Sequence, residues 1–260
     1  FRRVLFRSIG IILFFAGALA GFIDSIVGGG GLISLPALML TNMPVAMCLG
    51  TNKLSSVFGS GTAMINFARN KLVDWAFVKW IMPFTLLISM VGAYIAVYVP
   101  GTFLKPLIIV LLLAVFIVVL TKKDWGAIAQ VERKSGWKLL AYVAVAIVIG
   151  LYDGFLGPGT GVFLIFYFLF MGYDFLGASG NAKVLNTVSN FGSLMVFIYM
   201  DQVNYGYGLA VAAGQIIGAT AGSKLAMMKG AGLVRFLFIA MSLTMLMKLS
   251  YDYLLSQGII

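Results

Sequence analysis

The sequence predicts an all-α polytopic membrane protein with about eight transmembrane helices, arranged as two duplicated four-helix halves whose first helices are broken by glycines. Of the 260 residues, 62% are hydrophobic and only 10% are charged, and the mean hydropathy is +1.05. A soluble domain of this length could not bury so much apolar surface. Charge-free runs such as 80–104, 184–200 and 202–223 approach the ~20 residues that a helix needs to cross ~30 Å of hydrocarbon.

Charge and rare residue types exclude several classes of function. The formal net charge is +10, but the basic residues fall at predicted helix ends and in loops, as the positive-inside rule requires, so no nucleic-acid role is expected. The chain has no histidine and one cysteine, Cys48, which excludes histidine-ligated metals and an internal disulfide. No cofactor, no metal site and no ATPase motif are predicted.

Two glycine-rich breaks interrupt apolar segments, and each follows an aspartate. Asp24 precedes Gly28–Gly31, and Asp153 precedes Gly157–Gly161. Consecutive glycines destabilise a helix, and within a bilayer such a break is tolerated only in buried positions or beside a watered cavity. The helix that begins after a break presents free N–H groups, which favour an anion. Close helix packing through small residues is the alternative interpretation.

An internal repeat relates the two breaks. The motif Gly50-Thr51-Asn52-Lys53 matches Gly180-Asn181-Ala182-Lys183 at a spacing of 130 (183 − 53). The same spacing maps 73–75 onto 203–205, whereas the spacing of the two aspartates is 129 (153 − 24). A Gly-Ser pair recurs at 133 (192 − 59), which requires a local adjustment. Matches over most of the chain predict a duplication.

The predicted halves are 1–121 and 139–260, joined by a basic cytoplasmic linker at 122–138. Each half starts with a span broken at 25–31 or 154–161, followed by a short apolar piece that re-enters the membrane or continues the crossing. The predicted spans and short pieces are 8–24, 32–40, 53–68, 76–98 and 104–121, then 139–153, 162–171, 183–200, 205–227 and 233–250. Lysine and arginine counts place both termini in the cytoplasm, and four spans per half make the repeats parallel.

Two lysines carry the positive charge of the predicted site. Lys53 and Lys183 each follow a small polar cluster and open a span. Charged residues at membrane depth usually face the interior or a cavity, although lysines near span ends can also snorkel to the interface. We expect Lys53→Ala to abolish transport while leaving the protein folded.

The predicted substrate-binding residues combine backbone amides, lysines and side-chain amides. They are Gly29, Gly30, Gly31, Thr51, Asn52, Lys53, Gly159, Thr160, Gly161, Asn181, Lys183 and Asn186. The glycines would donate N–H bonds to an anion, the lysines would neutralise it and the asparagines would orient it. Other polar residues on the same spans either line the path or bond between helices, namely Ser55, Ser56, Asn66 and Asn190.

Two interpretations fit the aspartates that precede the breaks. As intramembrane carboxylates, Asp24 and Asp153 could take up protons and couple transport to a proton gradient. They could also cap the backbone of the glycine turns. The two roles are compatible.

The order of these motifs resembles the TauE/SafE family, also called the 4-toluene sulfonate uptake permease family. The resemblance covers about residues 9–253 and rests on Gly28–Gly31 with Leu35-Pro36, on both lysine motifs with Asn186, and on Gly157–Gly161. It implies a multi-pass protein of the bacterial inner membrane with about eight spans. It also implies transport, often export, of small sulfur-containing anions such as sulfite, sulfoacetate or another organosulfonate.

The sequence and the resemblance together predict a secondary anion transporter rather than an enzyme, with proton coupling as a further hypothesis. A homodimer in the lipid bilayer is compatible with the sequence. An anion channel could use the same lysines, and a non-transporting assembly factor is a further alternative. An intramembrane aspartyl protease is disfavoured because its Gly-x-Gly-Asp motif is absent, and Pro36-Ala37-Leu38 and Tyr152-Asp153 occur in the wrong order.

Overall fold

In the computed structural model of the protein, the described residues are 2–98 and 137–256. Within these ranges every regular element is an α-helix, which confirms the all-helical prediction there. The helices are α1 (Arg2–Val27), α2 (Gly31–Met39), α3 (Val45–Arg69), α4 (Trp75–Tyr98), α5 (Trp137–Phe155), α6 (Thr160–Phe170), α7 (Phe175–Tyr199) and α8 (Tyr205–Ser256). The predicted span at 104–121, and the linker up to residue 136, lie outside the described residues.

Two of the described helices are long and apolar enough to cross a membrane. They contain Ile9–Val27 and Trp75–Tyr98, and shorter apolar helices cover Leu140–Phe155 and Thr160–Phe170. The helices α3 and α7 are also long enough, at 25 residues each. Their interiors carry Gly, Ser, Asn and a Lys that are buried, so both helices bring polar groups into the interior of the protein.

The helix α8 differs from the sequence prediction. Two spans are predicted at 205–227 and 233–250, but the structure has one helix of 52 residues, Tyr205–Ser256. The segment between the predicted spans, 228–232, contains two glycines and no proline. Without a proline the hydrogen-bond ladder can continue, because a helical glycine costs only about 1 kcal/mol.

The first helix of each half packs against a helix of the other half. The helix α1 contacts α8, and α5 contacts α4. Glycines permit both contacts, since a Cβ on Gly21 would lie 2.3 Å from the carbonyl oxygen of Gln215, and a Cβ on Gly154 would lie 2.0 Å from that of Ser89. Small residues allow such close backbone approach between membrane helices.

The helices α3 and α7 have equal lengths and equivalent bounds in the two halves. They contact each other at the centre. Their first positions show the repeat spacing of 130 (175 − 45), and so do their last positions (199 − 69). The local adjustment expected at the Gly-Ser pairs is therefore not needed within these helices. Lys53 and Lys183 occupy the same position in the two helices, roughly two turns from each N-terminus.

Candidate functional site

A small polar cavity lies where the two glycine breaks meet α3 and α7. Its volume is about 20 Å³, room for about one water molecule. The lining residues are Asp24, Gly28, Gly31, Asn52, Lys53, Ser56, Asp153, Gly157, Gly159, Gly161, Asn186 and Asn190. Both halves of the chain thus contribute to one shared cavity.

Lys53 and Asp153 form a buried ion pair across the cavity. Lys53 Nζ lies 2.8 Å from Asp153 Oδ1, and each side chain is 2% exposed. The same Nζ donates to the backbone oxygen of Asp153 at 2.5 Å and to Asn190 Oδ1 at 3.0 Å. Ser189 Oγ donates to the other carboxylate oxygen, Asp153 Oδ2. An ammonium group has three N–H donors, so those of Lys53 are fully used.

Lys183 and Asp24 form the second ion pair. Lys183 Nζ lies 2.7 Å from Asp24 Oδ2, with side-chain exposures of 0% and 17%. Asp24 Oδ1 also accepts a hydrogen bond from the backbone N–H of Gly30 at 3.2 Å. Asp24 therefore caps the first glycine break, in agreement with one of the two interpretations of this residue. Among the described residues, Lys183 Nζ has no second acceptor.

Each lysine thus pairs with an aspartate of the other half. When all four side chains are ionised, their charges sum to zero. This pairing is needed because a buried charge without a partner is strongly destabilising. The lysines are predicted from the sequence to meet the substrate, and their pairing with the aspartates was missed. The signal was present in the sequence, since each half carries one Asp and one Lys in otherwise nearly charge-free segments around its break.

The glycine breaks use backbone conformations that other residues rarely adopt. Gly28, Gly157 and Gly159 have φ values of +84°, +88° and +86°, in the left-handed region that favours glycine. The two breaks also touch, since a Cβ on Gly28 would lie 2.2 Å from the carbonyl carbon of Gly161. Any side chain at position 28 would force the two breaks apart.

Three backbone N–H groups at this contact are available to a ligand. Gly31, Gly159 and Gly161 line the cavity, and no described residue accepts a hydrogen bond from their N–H groups. They lie at or next to the N-termini of α2 and α6. Free amides at a helix N-terminus attract anions through hydrogen bonds and the helix dipole.

Two side-chain amides extend this set of donors. Asn52 Oδ1 accepts from Ser34 Oγ at 2.6 Å, and Asn186 Oδ1 accepts from Asn190 Nδ2 at 3.1 Å. Within the described part of the chain, the Nδ2 groups of Asn52 and Asn186 donate to no protein acceptor. Both residues line the cavity, where these N–H groups can serve a bound anion.

The predicted site residues fall into two groups. Eight line the cavity, namely Asp24, Gly31, Asn52, Lys53, Asp153, Gly159, Gly161 and Asn186, and six do not, namely Gly29, Gly30, Thr51, Thr160, Asn181 and Lys183. The lining also includes four residues outside the predicted set, namely Gly28, Ser56, Gly157 and Asn190. For Ser56 and Asn190 the sequence indicates only a path-lining or helix-bonding role.

Thr51 and Asn181 bond to backbone instead of facing the cavity. Thr51 Oγ1 accepts from the N–H of Asn204 at 2.9 Å, and Asn181 Oδ1 accepts from the N–H of Asp74 at 2.8 Å. Each donor immediately precedes a helix of the other half, α8 or α4. The two residues therefore hold helix starts in place, and their role in substrate binding stays a prediction.

Gly30 and Thr160 are also engaged by the protein. The N–H of Gly30 is taken by Asp24. Thr160 donates from both its N–H (3.1 Å) and its hydroxyl (2.8 Å) to the backbone oxygen of Gly157. These contacts shape the breaks, and the amides left for a ligand belong to neighbouring glycines.

Comparison with known proteins identifies the family of this chain. Residues 13–249 match the family model described as "Sulfite exporter TauE/SafE". The chain belongs to the TauE/SafE family. It is a membrane transporter, and the resemblance inferred from the glycine and lysine motifs is confirmed.

Curated relatives of this TauE/SafE protein cover nearly its whole length. It is 37% identical to the "Probable membrane transporter protein ORF9" of Sinorhizobium sp, over 92% of each chain. It is 38% identical to the "Probable membrane transporter protein YfcA" of Escherichia coli K12, over 93% of this chain and 89% of the relative. A Haemophilus influenzae protein with the same general description is 37% identical over 93% and 94%. No solved structure gives a significant match.

Proposed function

We propose that this TauE/SafE protein is a secondary transporter of a small sulfur-containing anion, such as sulfite, sulfoacetate or another organosulfonate. One observation carries the proposal: Gly31, Gly159 and Gly161, whose N–H groups have no acceptor among the described residues, line the same small cavity. The oxygens of such an anion are strong acceptors for backbone amides at helix N-termini. The amide groups of Asn52 and Asn186 supply further donors on the cavity wall.

The charges around the cavity support proton coupling as part of this proposal. The anion must enter beside two carboxylates, Asp24 and Asp153, whose charges are balanced by Lys53 and Lys183. Protonation of one aspartate would leave the charge of its lysine for the anion. The proposed transporter therefore moves a proton together with its substrate, and acts as an exporter or importer according to the two gradients.

Access to the site requires movement of the glycine breaks. A cavity of about 20 Å³ holds about one water molecule, so an anion with several oxygens fits only when the walls separate. The contact between Gly28 and Gly161 joins the two halves at this point. We place the alternating opening of the transporter there.

Equal spacings support the proposal that the two halves are a duplication. The contact from Thr51 to Asn204 and the contact from Asn181 to Asp74 are related by the same spacing of 130 at both ends (181 − 51 and 204 − 74). We retain the proposal of a multi-pass protein in the bacterial inner membrane. Because α8 is one continuous helix, the second half has one span fewer than the predicted four, and the prediction of both termini in the cytoplasm, which depends on an even number of spans, is not retained.

Transport is tested with the purified full-length protein in liposomes. Vesicles preloaded with unlabelled sulfite should take up ³⁵S-sulfite faster than unloaded vesicles, with a rate that saturates. The assay is repeated with sulfate, thiosulfate and sulfoacetate. Flux that rises linearly without counterflow would show a channel, and no flux of any of these anions would reject the proposal.

Two asparagine variants test the position of the site. Asn52→Ala removes a free donor from the cavity wall and should raise the KM for sulfite about tenfold. The matched control is Asn66→Ala on the same helix, because Asn66 Nδ2 donates to Ser223 Oγ at 2.8 Å and Asn66 does not line the cavity. Its KM should be unchanged, and an equal rise in both variants would argue against the proposed site.

A further inference from the structure

The two ion pairs of the site are held by different numbers of partners. Around Lys53 and Asp153, two further side chains complete the pair: Asn190 accepts from the lysine and Ser189 donates to the aspartate. Around Lys183 and Asp24, the described residues add only the N–H of Gly30. The first pair is also almost fully buried, whereas the Asp24 side chain is 17% exposed.

The sequence explains this inequality. At the spacing of 130, the position of Ser189 is occupied by Gly59 in the other half (189 − 59), and that of Asn190 by Ser60 (190 − 60). Gly59 has no hydroxyl, and a Cβ there would lie 2.3 Å from Gln215 Oε1, so the space for a serine is already filled. Ser60 Oγ donates to the backbone oxygen of Ser56 at 2.6 Å. Neither residue supports the second pair.

We propose that Asp24–Lys183 is the pair that opens during transport, and that Lys53–Asp153 stays closed as a clamp between the halves. In this proposal, which rests on the proposed function, Asp24 is the residue that takes the coupling proton. Transfer of a proton to Asp24 Oδ2 gives a neutral carboxylic acid and leaves Lys183 as an ammonium ion. The four side chains then sum to one positive charge, which balances one negative charge on the anion.

The consequence of protonation differs between the two lysines. Lys53 would keep two neutral acceptors, the backbone oxygen of Asp153 and Asn190 Oδ1, which protonation does not remove. Lys183 is fully buried and would lose its one charged acceptor within the described residues. A buried ammonium without a counter-charge is strongly unfavourable, so Lys183 is the group that draws an anion toward Asp24.

The other charged groups near Asp24 are few. Across the cavity are Lys53 on α3 and Asp153 on α5. The helices α2 and α6 carry no charged residue, and α8, which packs on α1, carries none before the exposed Lys224. Lys183 on α7 is therefore the charged group in direct contact with Asp24.

The test compares two transport measurements in liposomes for each variant. Counterflow of ³⁵S-sulfite requires no net proton movement, whereas net uptake under an imposed pH gradient does. For Asp24→Asn, the ratio of gradient-driven uptake to counterflow should fall at least tenfold. For Asp153→Asn, any remaining flux should keep the wild-type ratio, while the thermal stability in detergent falls more than for Asp24→Asn. The control Asp174→Asn keeps a helix cap (Asp174 Oδ1 accepts from Gly177 N–H at 2.7 Å) and should change neither value.

Further variants and a chemical probe keep the outcome decisive. If Asp153→Asn does not fold, Ser189→Ala weakens the same pair more mildly and should keep the wild-type ratio. Dicyclohexylcarbodiimide adds to a protonated carboxyl group to form an N-acylurea, so lowering the pH should label Asp24 at least fivefold more than Asp153, as read by peptide mass spectrometry. A coupling ratio lost in Ser189→Ala or Asp153→Asn but not in Asp24→Asn, or preferential labelling of Asp153, would overturn the inference.

The test separates failure of this inference from failure of the proposed function. If the wild-type protein moves none of the anions, the proposed function fails, but the labelling and stability comparisons still rank the two aspartates. If the wild-type protein shows saturable counterflow with no response to a pH gradient, the transporter stands and the role of Asp24 in proton coupling is rejected.

Discussion

The two glycine breaks differ in how their aspartates are used. In the first break, Asp24 caps the turn by accepting from the N–H of Gly30. In the second break, Asp153 makes no such bond and instead accepts from Lys53 and Ser189. The turn that follows Asp153 is held by other groups, since Tyr152 Oη donates to the backbone oxygen of Pro158 at 2.6 Å.

This comparison shows that similar motifs can keep a backbone shape while their side chains take different roles. Both breaks start with a left-handed glycine, Gly28 or Gly157, so the interruption of the helix is common to both. Both carboxylates pair with a lysine of the other half, whereas among the described residues only Asp24 also caps its own turn. The surrounding helices determine which further partners each carboxylate has. Three predictions test this difference and two more concern contacts outside the breaks; the five are ordered by the size of the expected effect.

The largest effect is expected from removing the lysine of the closed pair. Lys53→Met leaves Asp153 buried without a cation, which costs about 3–5 kcal/mol of stability. This revises the expectation that substitution of Lys53 leaves the protein folded. Lys183→Met should cost less, because Asp24 keeps the N–H of Gly30 and some exposure. Thermal unfolding in detergent measures both losses.

The matched control for the lysine variants is Lys79→Met, which changes an exposed residue. It should cost no more than about 1 kcal/mol, through loss of the contact between Lys79 Nζ and the Trp80 ring. The double variant Lys53→Met/Asp153→Leu removes both charges and should recover most of the loss. Equal destabilisation by Lys53→Met and Lys183→Met would show that the two pairs are equivalent.

The next effect concerns the left-handed glycines. Gly28→Ala places a Cβ 2.2 Å from the backbone of Gly161 and adds a side chain at positive φ, which together cost about 2–5 kcal/mol. Gly157→Ala meets the flexible end of Lys53, whose Nζ would be 2.9 Å away, and should cost less. Thermal unfolding of the two variants ranks them, and a greater loss for Gly157→Ala would contradict this account.

A smaller effect is expected where Thr51 holds the start of α8. Thr51→Val is nearly isosteric and leaves the N–H of Asn204 without its acceptor, at a cost of about 1–3 kcal/mol. The KM for the transported anion should not change, because Thr51 does not line the cavity. A raised KM at unchanged stability would return Thr51 to the binding site.

The next effect on stability is smaller still and concerns the hydrogen bond from Tyr152 to Pro158 in the second break. Tyr152→Phe removes the hydroxyl that donates to Pro158 and should cost about 1 kcal/mol. In the first break the corresponding position at a spacing of 129 is Ile23, and Ile23→Val should cost a similar amount through lost packing alone. A Tyr152→Phe variant with normal stability but altered transport would assign the hydroxyl to substrate movement.

The smallest effect is a gain in stability. Gly61 lies in α3, and a Cβ there would meet only Thr187 Cγ2 at 3.8 Å, an ordinary contact. Gly61→Ala should therefore stabilise the protein by about 0.5–1 kcal/mol through the helix preference of alanine. A destabilised variant would show that this glycine, like those of the breaks, has a structural purpose.

Much of the fold and half of the site followed from local features of the sequence. The break at Gly28–Gly31 and the interior position of Lys53 could be predicted, since backbone freedom and membrane hydropathy belong to short segments. The length of α8 could not, because the segment at 228–232 is compatible with both a turn and a helix. The backbone contacts of Thr51 and Asn181 could not be predicted either, because their partners immediately precede helices of the other half.

The sequence by itself determined that this is a helical membrane protein of the TauE/SafE type, with two glycine breaks and two interior lysines. Composition and motif order carry that information without reference to distant residues. Only the tertiary structure decided that Lys53 meets Asp153 and that Lys183 meets Asp24. These partners are far apart in the chain, at separations of 100 and 159, and their pairing depends on which helices pack together at the centre.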